Sequence, residues 1–107
     1  MYLYLTAIGW KSGLPREIEI WFTAQNGRYY VIAEHHEQAH WVKNIRQNPE
    51  VSLRVGGKEY RGLARILDPR RESDLCREVS EQSEAKYGWG EGLIVELIPA
   101  SSHQGMP

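Results

Sequence analysis

The chain has 107 residues, 41% of them hydrophobic and 25% charged, and a formal net charge of -1. That length makes one domain with a modest core. The near-neutral balance removes the general attraction that nucleic acid or an anionic membrane would exert. The lone cysteine, Cys76, excludes an internal disulfide and points to a reducing compartment. The N-terminal residues carry no basic, apolar leader pattern, and no stretch approaches the roughly 20 apolar residues of a membrane helix. The expectation is a soluble, cytoplasmic domain.

Tyr2 to Ile8 is rich in aromatic and β-branched residues and predicts a first strand. Gly9 to Pro15 is a turn punctuated by Gly9, Gly13 and Pro15. From Arg16 the pattern alternates, with Ile18, Ile20 and Phe22 on one face and Glu17, Glu19 and Trp21 on the other. Asn26-Gly27 is a strong hairpin signal, so Arg28 to Ala33 should return antiparallel to it.

Glu37 to Asn48 has helical spacing, with Gln38, Trp41, Val42 and Ile45 on the apolar face and Lys43, Arg46 and Gln47 turned away. Asn48-Pro49 stops it, because proline disfavours the helical conformation in the residue before it. Glu50 to Val55 alternates again, Gly56-Gly57 closes a second hairpin, and Lys58 to Leu67 is its partner. Gly62 in that strand predicts a bulge or a close backbone neighbour. Asp68-Pro69 reads as a helix start and Gly88 as its stop, the thin stripe of Leu75, Cys76 and Val79 covering a barrel edge. Leu93 to Ile98 is the last strand, and residues 100–107 read as a disordered tail after a single domain spanning 1–99.

Strands arriving in hairpin pairs, with two interrupting helices, favour a mostly β, six-stranded antiparallel split barrel over a parallel α/β sheet. Chemistry concentrates in two places. Lys11, Ser12 and Arg16 put a point charge, a hydroxyl and a guanidinium on a turn whose amides could also face an anion. His36-Glu37-Gln38-Ala39-His40 matches the zinc-protease pattern H-E-x-x-H. On one helix the two histidines would share a face and Glu37 would activate water, but Lys43 and Arg46 stand where an extended motif needs Gly and His, and nothing picks a third ligand between Glu59 and a helix carboxylate such as Glu78. No acid, base or nucleophile constellation stands out, and no catalytic residue is named.

The ordered set Gly9-Trp10-Lys11-Ser12-Gly13-Leu14-Pro15-Arg16, Trp21-Phe22, Val31-Ile32-Ala33, Trp41, Asn44-Ile45 and Asn48-Pro49 resembles the deazaflavin-dependent nitroreductase family of flavin-binding split β-barrels. The resemblance implies an oxidoreductase that binds a deazaflavin, coenzyme F-420, or as second choice FMN or FAD, and passes hydride to a small organic substrate. It implies phosphate contacts from Lys11, Ser12, Gly13, Pro15 and Arg16. Ile32, Ala33 and Glu34 would lie beside the ring system, with His40, Trp41 and Asn44 closing the pocket. Two positions depart from the family pattern: Trp10 replaces an arginine, and Glu34-His35-His36 replaces a serine and a glycine pair. A homodimer is expected, because relatives often close their pocket with a second subunit. The alternatives are a zinc-dependent hydrolase built on His36, Glu37 and His40, or a non-catalytic ligand-binding barrel. A surface stacking single-stranded nucleic acid on Tyr29, Tyr30 and Tyr60 is a minor option.

Overall fold

The computed structural model describes residues 2–100, apart from the side chain of Glu37. In chain order the strands are β1 (Tyr2–Ile8), β2 (Pro15–Trp21), β3 (Thr23–Gln25), β4 (Arg28–Ala33), β5 (Glu50–Val55), β6 (Lys58–Ile66) and β7 (Leu93–Pro99). The helices are α1 (His40–Gln47) and α2 (Ser73–Tyr87). All seven strands form one antiparallel sheet in the order β2-β1-β5-β6-β7-β4-β3, curled into a half-barrel.

Seven strands replace the expected six because the second is cut at Phe22. β2 pairs only with β1 at one edge of the sheet and β3 only with β4 at the other, so the chain steps from edge to edge across one residue. That step curls the sheet. It also leaves the Phe22 peptide outside the ladder, and α2 supplies its partners. The Phe22 N–H donates to Tyr87 Oη at 3.3 Å, and the Phe22 carbonyl accepts from Tyr87 Oη and Lys86 Nζ, both at 2.9 Å.

Two cores follow from the pleat. Leu3, Leu5 and Ala7 of β1, Val31 of β4, Val51, Leu53 and Val55 of β5, and Val95 and Leu97 of β7 fill the barrel, with Phe22 and Ile45. Burying each leucine contributes roughly 1.5–3 kcal/mol. On the opposite face of β4 and β7, Tyr30, Ile32 and Ile94 pack with Leu67 under Val79 of α2. The second helix therefore roofs the outer face of two strands and completes a second core, rather than only covering an edge.

Both hairpin turns form as the sequence predicts, with positive φ at Asn26 and Gly27 and at Gly56 and Gly57. Gly62 marks a close approach: a Cβ there would lie 2.6 Å from the Ile98 carbonyl oxygen. The helix starts differ from expectation. Residues His36–Gln38 form a separate 3-10 turn and Ala39 is extended, so α1 begins only at His40. Gln38 is exposed and lies outside that helix, and the buried face of α1 is Val42, Asn44 and Ile45. Asp68 does not cap α2. Its Oδ1 accepts from the Arg70 N–H at 2.9 Å and its carbonyl from the Glu72 N–H at 2.8 Å, making a turn before the helix opens at Ser73. Gly88 ends α2 at φ 87. Of the expected tail, Ala100 donates its N–H to the Arg61 carbonyl at 2.7 Å, and residues 101–107 lie outside the described residues.

Candidate functional site

The β1–β2 loop is a six-residue turn, Gly9 to Leu14, closed by Gly9 N–H to the Leu14 carbonyl and Gly13 N–H to the Gly9 carbonyl, each 2.8 Å. Gly13 sits at φ +72, a conformation that glycine adopts without a Cβ penalty. Ser12 Oγ is turned inward and accepts from the Leu14 N–H at 3.2 Å, which leaves its own proton free to donate elsewhere. A second anchor comes from α1, where Asn44 Oδ1 accepts the Trp10 N–H at 2.8 Å.

Between this loop, β2 and α1 lies a cavity of about 530 Å³ lined by Gly9, Trp10, Lys11, Ser12, Arg16, Glu17, Ile18, His40, Trp41, Lys43 and Asn44. Six of the predicted binding residues meet here: Lys11, Ser12, Arg16, His40, Trp41 and Asn44. Its charge is lopsided. Lys11, Arg16 and Lys43 bring three cations, and none of them has a carboxylate partner among the described residues. The only acid in the lining, Glu17, is already held by Arg54 at 3.2 Å. Lys11 Nζ rests over the Trp10 ring at 4.9 Å, so the residue that replaces a cation in the family pattern instead props one up. The first turn of α1 opens on the same cavity with Ala39 as N-cap, no capping side chain and no acid. The Ala39 and Val42 N–H groups bond the His36 and Ala39 carbonyls, which leaves the His40 and Trp41 amides to face an anion.

Gly13 and Pro15 belong to the loop and the start of β2 without lining the cavity. The strand residues separate from the group. Ile32 and Ala33 are buried, Ile32 under α2, and neither side chain reaches the cationic cavity. Glu34 faces another cavity of about 640 Å³, lined with His36, Glu84, Gly88, Trp89, Gly90 and Glu91. The sequence pattern had set Lys43 on the outward face. Its spacing of three from His40, next to Asn44, was the signal that it shares their side of the helix.

The zinc alternative loses its geometric premise. His36, at φ +55, lies in the 3-10 turn, Ala39 is extended, and His40 opens α1, so the two histidines do not share a helix face and line different cavities. Among the described residues no group of three or more His, Cys, Asp or Glu side chains could hold a metal ion. Trp21, expected on a bare polar face, stacks on Tyr87 with ring centroids 4.4 Å apart. Burial pushes the Cys76 thiol up, helped by Glu72 and Asp68, which disfavours the reactive thiolate.

A half-barrel with a cationic turn beside an uncapped helix start has the form of the split β-barrels that hold flavin-type cofactors. The profile of the F420H(2)-dependent quinone reductase family matches residues 1–91. The chain belongs to that family, and is therefore an oxidoreductase whose cofactor is the deazaflavin F-420. No curated protein matches the chain in sequence. Among solved structures, an F420-H2 dependent reductase, FDR-A, is similar at 23% identity and a TM-score of 0.66, covering 90% of this chain and 92% of its own. The heme storage protein HutZ from Vibrio cholerae is similar at 19% identity and a TM-score of 0.72, covering 94% of this chain and 82% of its own. A domain-swapped dimer is similar at 24% identity and a TM-score of 0.66, covering 90% and 78%. At these identities the likeness is one of fold. Among the described residues no helix is long and apolar enough to cross a membrane.

Proposed function

We propose that the chain binds F-420 in the cavity between the β1–β2 loop, β2 and α1, and passes hydride between it and a small organic substrate of the quinone kind named by the family. The observation that carries this is the group of three cations, without carboxylate partners among the described residues, around one cavity whose only acid is paired with Arg54. That donor set fits an anionic group of phosphate type: Lys11 and Lys43 as point charges, Arg16 as a fork, and the Ser12 hydroxyl with the Lys11 and Ser12 amides as donors, the other loop amides being bonded within the turn or to Asn44. Gly13 and Pro15 shape the turn that presents these groups. Trp41, half-buried against the barrel core, offers an apolar wall, and His40 stands at the mouth. Ile32 and Ala33 act from beneath as packing, leaving Glu34 exposed in the turn just past their strand.

The deazaflavin supplies hydride chemistry when bound, and the chain binds it, orients it and keeps water out. We place the protein in the cytoplasm, in keeping with its free Cys76, and as a homodimer, the form that one structural relative adopts by domain swapping. FMN or FAD remains a second choice, which the same cations would also attract.

Titration with F-420, FMN and FAD, followed by fluorescence, tests the assignment. F-420 should bind best, and Lys11→Ala, Arg16→Ala and Lys43→Met should each weaken it by about 1.5–3 kcal/mol, the scale of a charge-assisted hydrogen bond. Unchanged affinity in all three would move the site elsewhere.

A further inference from the structure

Asn44 is a side chain whose burial is out of keeping with its chemistry. It is 5% exposed on α1, among apolar neighbours Val42 and Ile45, and a buried amide is costly unless its polar atoms are paired. Its acceptor is paired across 34 residues: Oδ1 takes the Trp10 N–H at 2.8 Å. The donor is a main-chain N–H, so the bonded atom must be the oxygen, which fixes the orientation of the amide.

The loop needs this bond. Its other hydrogen bonds among the described residues run within the turn itself, from Gly9, Gly13 and Leu14. Trp10 and Leu14 are 45% and 59% exposed, so side-chain packing does little to hold the loop in place. The Asn44–Trp10 bond is the one side-chain hydrogen bond fastening Gly9–Leu14 to another element among the described residues. Lys11 follows Trp10 directly, and Arg16 stands two residues past the end of the turn.

We propose that Asn44 is a positioning residue that clamps the β1–β2 loop onto α1 and so sets where Lys11 and Ser12 meet the cofactor's anionic group. Its primary contact is then with the loop, not with the cofactor. The proposal rests on the cofactor cavity described above, so the test reads the loop separately, without cofactor. In the F-420-free protein, hydrogen exchange at the Trp10 amide and trypsin cleavage after Lys11 report the clamp.

Asn44→Leu, similar in size but without an acceptor, should speed both about tenfold, the worth of one hydrogen bond. The amides of Leu5 and Leu53 should stay protected, and F-420 affinity should fall about tenfold. Asn44→Asp keeps the acceptor, and its loop should remain protected as in the native protein. Asn44→Ser, too short to reach Trp10, repeats the first test if the leucine variant does not fold. A loop still protected in the leucine and serine variants overturns the proposal. So does an opened loop with native F-420 affinity. Arg16→Ala separates the two readings: it should weaken F-420 while leaving the Trp10 amide protected. If F-420 binds that variant as tightly as the native protein, the cavity assignment fails, while the exchange data still decide whether Asn44 holds the loop.

Discussion

Glu96 is 1% exposed and carries its charge between two layers of the fold. Burial pushes its carboxyl pKa up, but hydrogen bonds from Tyr30 Oη at 2.8 Å, Arg65 Nε at 2.9 Å and Arg28 at 3.2 Å outweigh that and hold it below the ordinary value of 4.5. Glu72, bound to Arg65 at 2.8 Å, is held low as well, chiefly by that bond. Tyr30 moves the other way, pushed up to about 12 by burial and then by its bond to Glu96. Both carboxylates have a folded pKa below the unfolded one. Their contribution is therefore present above pH 4.5 and is lost as the pH falls through the lowered folded values. Tyr30 has a raised folded pKa, so its contribution is intact below 10 and lost as the pH climbs toward about 12. Glu96→Gln mimics the protonated acid. It should cost about 2 kcal/mol at neutral pH, a charged hydrogen-bond network exchanged for neutral bonds. In urea denaturation the gap from the native protein should close as the pH drops below the folded pKa, and a gap independent of pH would contradict this account.

At the scale of elements, the junction at Phe22 depends on α2. Tyr87 Oη serves both the N–H and the carbonyl of that residue, and Lys86 adds a second donor to the carbonyl. Tyr87→Phe removes the hydroxyl yet keeps the ring that stacks on Trp21. It should destabilise the protein by about 1–2 kcal/mol in urea, with native tryptophan fluorescence at zero denaturant. A midpoint equal to that of the native protein would show that water replaces the hydroxyl at no cost. The break before α1 was harder to foresee. Residues 37–48 have helical spacing, but Ala39 is extended and Gln38 exposed, so the apolar face begins at Trp41. Periodicity counts residues and does not register a single extended one, which is why His36 and His40 looked like a helical pair.

At the scale of the molecule, the order of the sheet leaves β2 as an edge strand beside the cationic cavity, paired on one side only. The homodimer proposed above predicts twice the 12.4 kDa chain mass by light scattering at micromolar concentration. A single-chain mass at high concentration would count against it.

Much of the architecture was legible locally. Asn26-Gly27 and Gly56-Gly57 each fix a hairpin because both residues tolerate positive φ, and the alternation in β2 and β5 shows through because one face is wetter than the other. The loop cations Lys11 and Arg16 are close in sequence, so the cationic turn could be read there too. Ile32 and Ala33 could not be sorted in this way: β4 is covered on both faces, the barrel within and α2 without, so its run of apolar residues shows no inner side. Lys43 joins Lys11, Asn44 reaches Trp10, and Glu96 meets Arg28 and Arg65 only across long separations in the chain. The sequence by itself determined the turns, the strands and the cationic loop, because those depend on residues that are near one another. The closure at Phe22, the buried carboxylate and the full lining of the cavity were decided by tertiary structure, because each depends on which distant surfaces the folded sheet brings together.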